Sequence, residues 1–140
     1  MEKSANSSPA GNTILIVDDE FGILEVLEFI LRDAGFTVVS ALNGQEALKR
    51  LEETKPDLVI VDFMMPILGG DGVIRAIRSD DRLRDIPVIL ASALPEQVIR
   101  ERCNGFNAFL RKPFKTERLL EEISKLLNRP SITPVRGTVG

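Results

Sequence analysis

The sequence predicts one α/β domain, a five-stranded parallel sheet with five helices packed on its two faces as a doubly wound, three-layer sandwich. Three observations predict this fold. Short apolar runs alternate with helical patterns five times between two polar ends of the chain. The runs are continuously apolar, which is typical of parallel strands that are buried on both faces. The chain has no internal repeat, and its 140 residues are too few for a closed eight-fold barrel.

The predicted strands are short runs rich in β-branched residues, which fit the pleated surface of a sheet. Their continuous apolarity indicates that helices cover both sides of the sheet. We predict strands at residues 13–17, 37–40, 58–61, 87–91 and 108–110.

Each predicted strand is followed by a segment whose apolar residues recur at helical spacing and so fall on one face. Gly35 is suited to end the first helix, because glycine readily adopts the left-handed conformation found after helices. Thr116 is a plausible N-cap for the fifth helix, because its side-chain oxygen can accept a hydrogen bond from the first turn. We predict helices around residues 23–31, 45–53, 73–78 and 95–103, and a fifth from Thr116 with its apolar stripe at 119–127.

The two ends of the chain are polar and lack an apolar period. Residues 1–12 are rich in Ser, Asn, Gly and Pro, and residues 129–140 contain two prolines and two glycines. We predict that residues 13–128 form the domain, that 1–12 is a flexible tail, and that 129–140 is a flexible tail or the stump of a linker.

Charge, histidine and cysteine content narrow the range of functions. The net charge of −3 provides no basic surface for direct binding of nucleic acid. The absence of histidine excludes Ser-His and Cys-His catalysis and histidine metal sites. Cys103, the single cysteine, cannot form an internal disulfide and suits a reducing cytoplasm. Since no apolar run resembles a secretory signal or a membrane span, we predict a cytoplasmic protein that contacts neither membrane nor nucleic acid directly.

Residues that can carry chemistry follow the predicted strands, and open α/β sheets bind their ligands at the carboxyl ends of strands. Asp18 and Asp19 follow the first strand, and Asp62 follows the third. Ser92 follows the fourth strand, and Lys112 lies just after the fifth. Carboxylates with one hydroxyl and one amine suit a hard divalent cation and a transferring phosphoryl group.

Taken singly, most of these residues also have ordinary structural interpretations. Asp18 or Asp19 could favour the positive end of the helix that follows. Ser92 could be a turn residue, and Lys112 could be a solvated surface lysine. Asp62 fits such an interpretation less well, because an unpaired buried carboxylate is costly. The combination of residues therefore favours a functional site.

Four blocks of the sequence resemble the receiver domains of bacterial response regulators. The blocks are ILIVDDE, DLVIVDFMMP followed by Gly70, VILASA, and FLRKPF, and they occur in the family's order. The resemblance covers residues 13–128 and implies a flavodoxin-like fold. It also implies a function in two-component or phosphorelay signal transduction. It implies a protein that catalyses only its own phosphorylation and dephosphorylation, and not a turnover enzyme. The implied partners are a sensor histidine kinase or phosphotransfer protein, and a downstream effector protein or a missing output domain.

The resemblance also implies roles for the acidic residues. Asp62 is the implied phospho-acceptor, a nucleophile that forms an aspartyl phosphate. The implied cofactor is Mg²⁺, bound by the side chains of Asp19 and Asp62 and by the backbone carbonyl of Met64. Asp18 would act on the metal through a bound water. Mg²⁺ takes about six oxygen ligands and tends to keep several waters, so a few carboxylates suffice.

The remaining implied roles belong to the fourth and fifth strands. The Lys112 ammonium would contact the phosphoryl oxygens, and the Ser92 hydroxyl would hydrogen-bond one of them. Ser92 and Phe109 form the implied switch: Ser92 moves toward the phosphoryl group, Phe109 turns inward, and the surface of helix 4, strand 5 and helix 5 repacks. The Lys112–Pro113 peptide bond is implied to be cis.

Three departures from the family pattern concern the output face. Ser92 replaces a common threonine, Phe109 replaces a frequent tyrosine, and the segment between Ser92 and Lys112 is shorter than usual around helix 4. They leave open a pseudo-receiver, an interaction module that works without phosphorylation. A phosphatase and a nucleotide-binding carrier have less support from the sequence. An aspartate-nucleophile phosphatase usually has a second aspartate where this chain has Met64, and a nucleotide-binding carrier needs a glycine-rich phosphate loop after the first strand.

Overall fold

The computed structural model of this chain describes residues 12–128. The predicted tails, residues 1–12 and 129–140, therefore lie outside the described residues except for Asn12. The Asn12 carbonyl accepts a hydrogen bond from the Thr37 amide at 2.9 Å.

Strands and helices alternate along the described residues. In chain order they are β1 (Thr13–Val17), α1 (Phe21–Asp33), β2 (Thr37–Ala41), α2 (Gly44–Glu53), β3 (Leu58–Asp62), α3 (Gly70–Ser79), β4 (Val88–Ser92), α4 (Glu96–Arg102), β5 (Ala108–Arg111) and α5 (Thr116–Leu126). The five strands form one parallel sheet in the order β2-β1-β3-β4-β5, which confirms the predicted doubly wound fold.

The hydrophobic core lies on both faces of this sheet. In β1, Leu15 and Val17 belong to the cluster that includes α2, α3 and α4, whereas Ile14 and Ile16 belong to the cluster that includes α1 and α5. Each of the four side chains is at most 1% exposed. This two-sided burial is the physical reason why the strands appear in the sequence as continuous apolar runs.

The strand order places a crevice at the carboxyl ends of β1 and β3. These strands are neighbours, with Val17 paired to Val61, and the helices that follow them, α1 and α3, pack on opposite faces. An open α/β sheet binds ligands at such a switch point. Residues that directly follow Val17 and Val61 therefore lie side by side at the edge of the crevice.

The end of α1 is confirmed at Gly35. Gly35 has a φ of 100°, and its amide donates to the Arg32 carbonyl at 2.9 Å. The Phe36 amide donates to the Leu31 carbonyl at 3.0 Å, so that both amides after the helix bond to carbonyls of its last turn.

The predicted N-cap of α5 is wrong by one residue. Thr116 is the first helical residue, and the cap is Lys115, which has extended backbone angles (φ −87°, ψ 151°) and makes no side-chain capping bond. The Lys115 carbonyl already accepts a helical hydrogen bond from the Leu119 amide at 3.1 Å. The helix therefore starts from a backbone position fixed by β5 and the loop after it.

Several element bounds differ from the prediction by a few residues. β3 and β4 end one residue later, because the polar residues Asp62 and Ser92 still pair with Ala91 and Arg111 on the neighbouring strands. α3 begins at Gly70, and α4 has only 7 residues, fewer than the other helices. Among residues 12–128, no helix is both long enough and apolar enough to cross a bilayer.

Candidate functional site

Three carboxylates meet at the carboxyl ends of β1 and β3. Asp18 and Asp62 are buried, Asp19 is exposed, and one oxygen from each lies within 4.8 Å of those of the other two. The Asp18 amide donates to the Ala41 carbonyl of β2 at 3.2 Å, which fixes the backbone where β1 ends. Grouped carboxylate oxygens are the hard ligands that Mg²⁺ prefers, so the donor set fits this ion.

Lys112 brings a positive charge into the acidic cluster. Its Nζ lies 2.8 Å from Asp18 Oδ2 and 2.9 Å from Asp62 Oδ1. Two backbone amides help to position these groups: the Lys112 amide donates to the Ser92 carbonyl at 2.8 Å, and the Glu20 amide donates to the Asp18 side chain at Oδ1, 2.9 Å away. Burial lowers the pKa of Lys112, but its contacts with Asp18 and Asp62 outweigh burial and raise that pKa above its ordinary value.

The pKa of the Asp62 carboxyl group is raised well above its ordinary value. Burial raises the pKa of Asp62 to about 6, although hydrogen bonding and attraction to Lys112 oppose this, and repulsion from Asp18 and Asp19 adds to it. Without a bound cation, the negative charge on Asp62 is therefore held in an unfavourable environment near neutral pH. A divalent ion would offset that cost.

This pKa predicts how Mg²⁺ affinity depends on pH. Since a divalent ion would bind the deprotonated carboxylate, protons would compete with Mg²⁺ below the pKa of about 6. We expect the Mg²⁺ dissociation constant to be constant above pH 7 and to rise about tenfold per pH unit well below pH 6, the slope for one displaced proton. Titration calorimetry across this range measures the slope. If the Mg²⁺ affinity stays constant down to pH 4.5, the prediction that Asp62 binds the ion is contradicted.

Ser92 and Phe109 lie on adjacent strands, Ser92 at the carboxyl end of β4 and Phe109 within β5. Ser92 is 2% exposed, and its Oγ accepts a hydrogen bond from the Leu94 amide at 3.0 Å, which leaves its hydroxyl proton able to donate. Phe109 is buried, with its ring centroid 6.4 Å from that of Phe106. The Arg100 guanidinium lies 4.8 Å from the Phe106 ring, so α4 contacts the aromatic pair directly.

The structure places the other predicted residues around the same crevice. The Met64 side chain is exposed on the loop that follows β3, and its backbone carbonyl stays a predicted metal ligand. The Lys112–Pro113 peptide bond is cis. All the predicted site residues therefore lie at the carboxyl edge of the sheet or in the loops after it, apart from Phe109 within β5.

Two further residues shape the backbone near the site: Arg111, to which sequence reasoning gave no role, and Gly70, which it expected to shape the loop after Asp62. Arg111 Nε donates to the Ala93 carbonyl at 2.7 Å, which ties the end of β5 to the loop after Ser92. At Gly70, a Cβ would lie 2.6 Å from the Asp62 carbonyl, so only glycine allows α3 to begin this close to the site. The sequence signal for Gly70 was its place after the second block, whereas an arginine beside a lysine gave no such signal.

Comparison with known families gives an independent match over most of the chain. The sequence model described as "Response regulator receiver domain" matches residues 14–124. The chain is 38% identical to the transcriptional regulatory protein PrrA of Mycobacterium leprae over 124 residues, 86% of this chain and 52% of PrrA. It is 37% identical to the chemotaxis protein CheY of Pseudomonas aeruginosa over 119 residues, 83% of this chain and 96% of CheY. The chain thus spans about half the length of PrrA and nearly all of CheY.

Solved structures of receiver domains share the fold. The receiver domain of the sensor histidine kinase PA1611 of Pseudomonas aeruginosa has a TM-score of 0.79 and 32% identity, covering 84% of this chain and 98% of that one. That structure holds a magnesium ion in its active-site cleft. The receiver domain of a signal transduction histidine kinase from Syntrophus aciditrophicus has a TM-score of 0.78 and 36% identity, covering 88% of this chain and 98% of that one.

Proposed function

This chain belongs to the response regulator receiver family, and on that premise we propose that Asp62 accepts a phosphoryl group from a phosphohistidine in a Mg²⁺-dependent reaction. Receiver domains are signalling domains and not conventional enzymes, and response regulators work with histidine kinases and output effectors. One observation carries the proposal. The Lys112 ammonium contacts both buried carboxylates, Asp18 and Asp62, at the centre of a cluster that can hold a divalent cation.

The transfer forms one bond and breaks one bond. The second carboxylate oxygen of Asp62, which receives no hydrogen bond from residues 12–128, attacks phosphorus and forms the P–O bond of an aspartyl phosphate. The P–N bond to the donor imidazole breaks, and the imidazole nitrogen keeps the electron pair and takes a proton. Lys112 balances charge on the phosphoryl oxygens, and the Ser92 hydroxyl donates a hydrogen bond to one of them.

The acidic cluster would hold the metal ion. Asp19 and Asp62 would bind it through their side chains and Met64 through its carbonyl, while Asp18 would act through a metal-bound water. A bound Mg²⁺ supplies positive charge that neutralises the phosphoryl oxygens as they come close to three carboxylates. The Glu20 amide and Lys112 hold the two oxygens of Asp18 at 2.9 and 2.8 Å, so this group is already oriented.

Phosphorylation would then become a signal through β4, β5 and α4. The phosphoryl group would favour the conformation in which the Ser92 hydroxyl binds it. This would shift a pre-existing equilibrium between two conformations of the Phe109 side chain toward the inward one. The proposed partners are a cytoplasmic sensor histidine kinase or phosphotransfer protein, and an effector that reads the α4–β5–α5 face. The effector is either a separate protein or an output domain beyond this chain, as the length of PrrA allows.

Intact-mass spectrometry tests this proposal. After incubation with Mg²⁺ and acetyl phosphate, we expect the mass to increase by one phosphoryl group, and we expect Asp62→Asn to abolish the increase. A short-lived adduct could escape detection, so stabilisation of the wild-type protein by beryllofluoride is the control. No adduct and no response to beryllofluoride would favour a pseudo-receiver. Turnover of unrelated phosphate esters would favour a phosphatase.

A further inference from the structure

Leu68, in the loop between β3 and α3, sits in a notch that two glycines create. A Cβ at Gly44, the first residue of α2, would overlap the Leu68 carbonyl oxygen and lie 2.7 Å from the Leu68 Cβ. A Cβ at Gly72 in α3 would overlap the end of the Leu68 side chain and lie 3.0 Å from its Cγ. Leu68 also packs against the core cluster on this face of the sheet. Leu68 therefore anchors the loop between two helices.

The residue before this anchor has a strained backbone. Ile67 has a φ of 71°, and the Leu68 amide donates to the Pro66 carbonyl at 2.8 Å, which makes Ile67 the centre of a γ-turn with positive φ. That turn is rare and strained, and it is especially unfavourable for a β-branched residue. The Ile67 side chain is 75% exposed, so its own packing offsets little of this cost. The packing of Leu68 is the contact next to the turn that can offset it.

This loop carries Met64, the predicted backbone ligand of the metal. The loop is closed at its base, where the Gly70 amide donates to the Phe63 carbonyl at 2.9 Å. Between these ends Met64 is exposed, so burial of its own side chain does not fix its position. The residues on either side of Met64, Phe63 and Met65, pack against the core cluster on this face of the sheet, as Leu68 does. Leu68 adds the contact that ties the loop to two helices, α2 and α3.

We propose that Leu68 is a positioning residue for the metal site, because its seat between Gly44 and Gly72 fixes the loop that carries the Met64 carbonyl. The inference rests on the proposed function. A merely structural Leu68 would contribute to the stability of the fold but not specifically to the affinity for Mg²⁺. Loss of an outer group that orients a metal ligand commonly costs one to two orders of magnitude in affinity.

Calorimetric titration with Mg²⁺ separates these roles, and it needs no fluorophore in a chain that lacks Trp and Tyr. We expect Leu68→Ala to weaken Mg²⁺ binding about tenfold. The matched control is Leu48→Ala, the same truncation at a partly buried leucine of α2 that packs against the same core cluster. We expect this control to lower the thermal midpoint of the metal-free protein, as Leu68→Ala does, but to leave Mg²⁺ affinity unchanged.

A second variant approaches the notch from its other side. Gly72→Ala places a methyl group where the Leu68 side chain sits, and we expect it also to weaken Mg²⁺ binding about tenfold. In a Leu68→Ala background the colliding atoms are absent, so we expect Gly72→Ala to cause no further loss. This non-additivity is the mark of two residues that act through one contact.

The outcomes distinguish the inference from the proposed function. If the wild-type protein binds Mg²⁺ and Leu68→Ala binds it equally well, the inference alone is overturned. The same holds if Leu68→Ala and Leu48→Ala lose equal amounts of Mg²⁺ affinity. Fully additive losses in the double variant would do the same. A wild-type protein that binds no Mg²⁺ at this site would overturn the proposed function, and the inference with it.

Discussion

Replacement of Lys112 by methionine is expected to destabilise the metal-free protein and to slow its phosphorylation severely. Methionine keeps most of the length of the side chain but removes the charge that lies 2.8 to 2.9 Å from Asp18 and Asp62. Two buried carboxylates then lose their counter-charge. Breaking such a pair costs about 3 to 5 kcal/mol when it is fully buried, and somewhat less here because the Lys112 side chain is 21% exposed.

The rate and the metal affinity are expected to move in opposite directions in this variant. At saturating Mg²⁺, we expect phosphorylation by acetyl phosphate to slow by about 100- to 1000-fold, the usual effect of removing one group that stabilises the charge of the transition state. Mg²⁺ should bind more tightly, because it no longer shares the carboxylates with an ammonium. Urea denaturation, mass spectrometry and calorimetry measure the three effects. The control is Lys115→Met, an exposed lysine in the same loop, and an equal effect there would contradict the role of Lys112.

Replacement of Asp62 by asparagine is expected to stabilise the metal-free protein at pH 8. The pKa of Asp62 is raised from 3.8 to about 6 in the folded protein, so the folded state holds its proton more tightly than the unfolded state does. The bound proton therefore stabilises the folded wild-type protein at low pH. This stabilisation is lost as the pH rises from about 4 through about 6. Above pH 7 the wild-type protein bears a cost of at most about 3 kcal/mol, which asparagine avoids.

The pH dependence makes this second prediction specific. We expect the difference in unfolding free energy between Asp62→Asn and wild type to be about 1 to 3 kcal/mol at pH 8 and to shrink toward pH 4.5. Urea denaturation in a chelating buffer, followed by far-ultraviolet circular dichroism, measures it. Asp81→Asn is the control, because that side chain is 94% exposed and should show no such change. If the difference in unfolding free energy does not change with pH, the raised pKa of Asp62 is contradicted.

The fold was largely predictable because burial on two faces leaves a direct mark in the sequence. Residues 14–17 of β1 alternate between two core clusters and are all apolar, and β3 and β4 are likewise apolar up to their last residues. Asp62 and Ser92 were not assigned to strands, because a polar residue interrupts the apolar run while the backbone still pairs. The N-cap of α5 was missed for a related reason: the Lys115 backbone provides the cap without any side-chain signal.

The site was predictable where it depends on strand ends and unpredictable where it depends on contacts between distant segments. Asp18 and Asp62 meet because β1 and β3 are neighbours, and the family resemblance indicated that Lys112 joins them. By contrast, the contact of Arg111 with Ala93 joins the end of β5 to the loop after β4, and nothing in the sequence connects these two segments. The strained turn at Ile67 is also invisible in the sequence, since an isoleucine gives no hint of positive φ.

A crystal structure of the protein with Mn²⁺ and beryllofluoride tests the central claim most directly, because Mn²⁺ accepts the same oxygen ligands and its anomalous signal locates it without ambiguity. We predict one metal peak about 2 Å from carboxylate oxygens of Asp19 and Asp62 and from the Met64 carbonyl, with beryllofluoride on Asp62 and the Lys112 ammonium against its fluorines. A metal bound elsewhere, or Lys112 turned away from an occupied Asp62, would contradict the account.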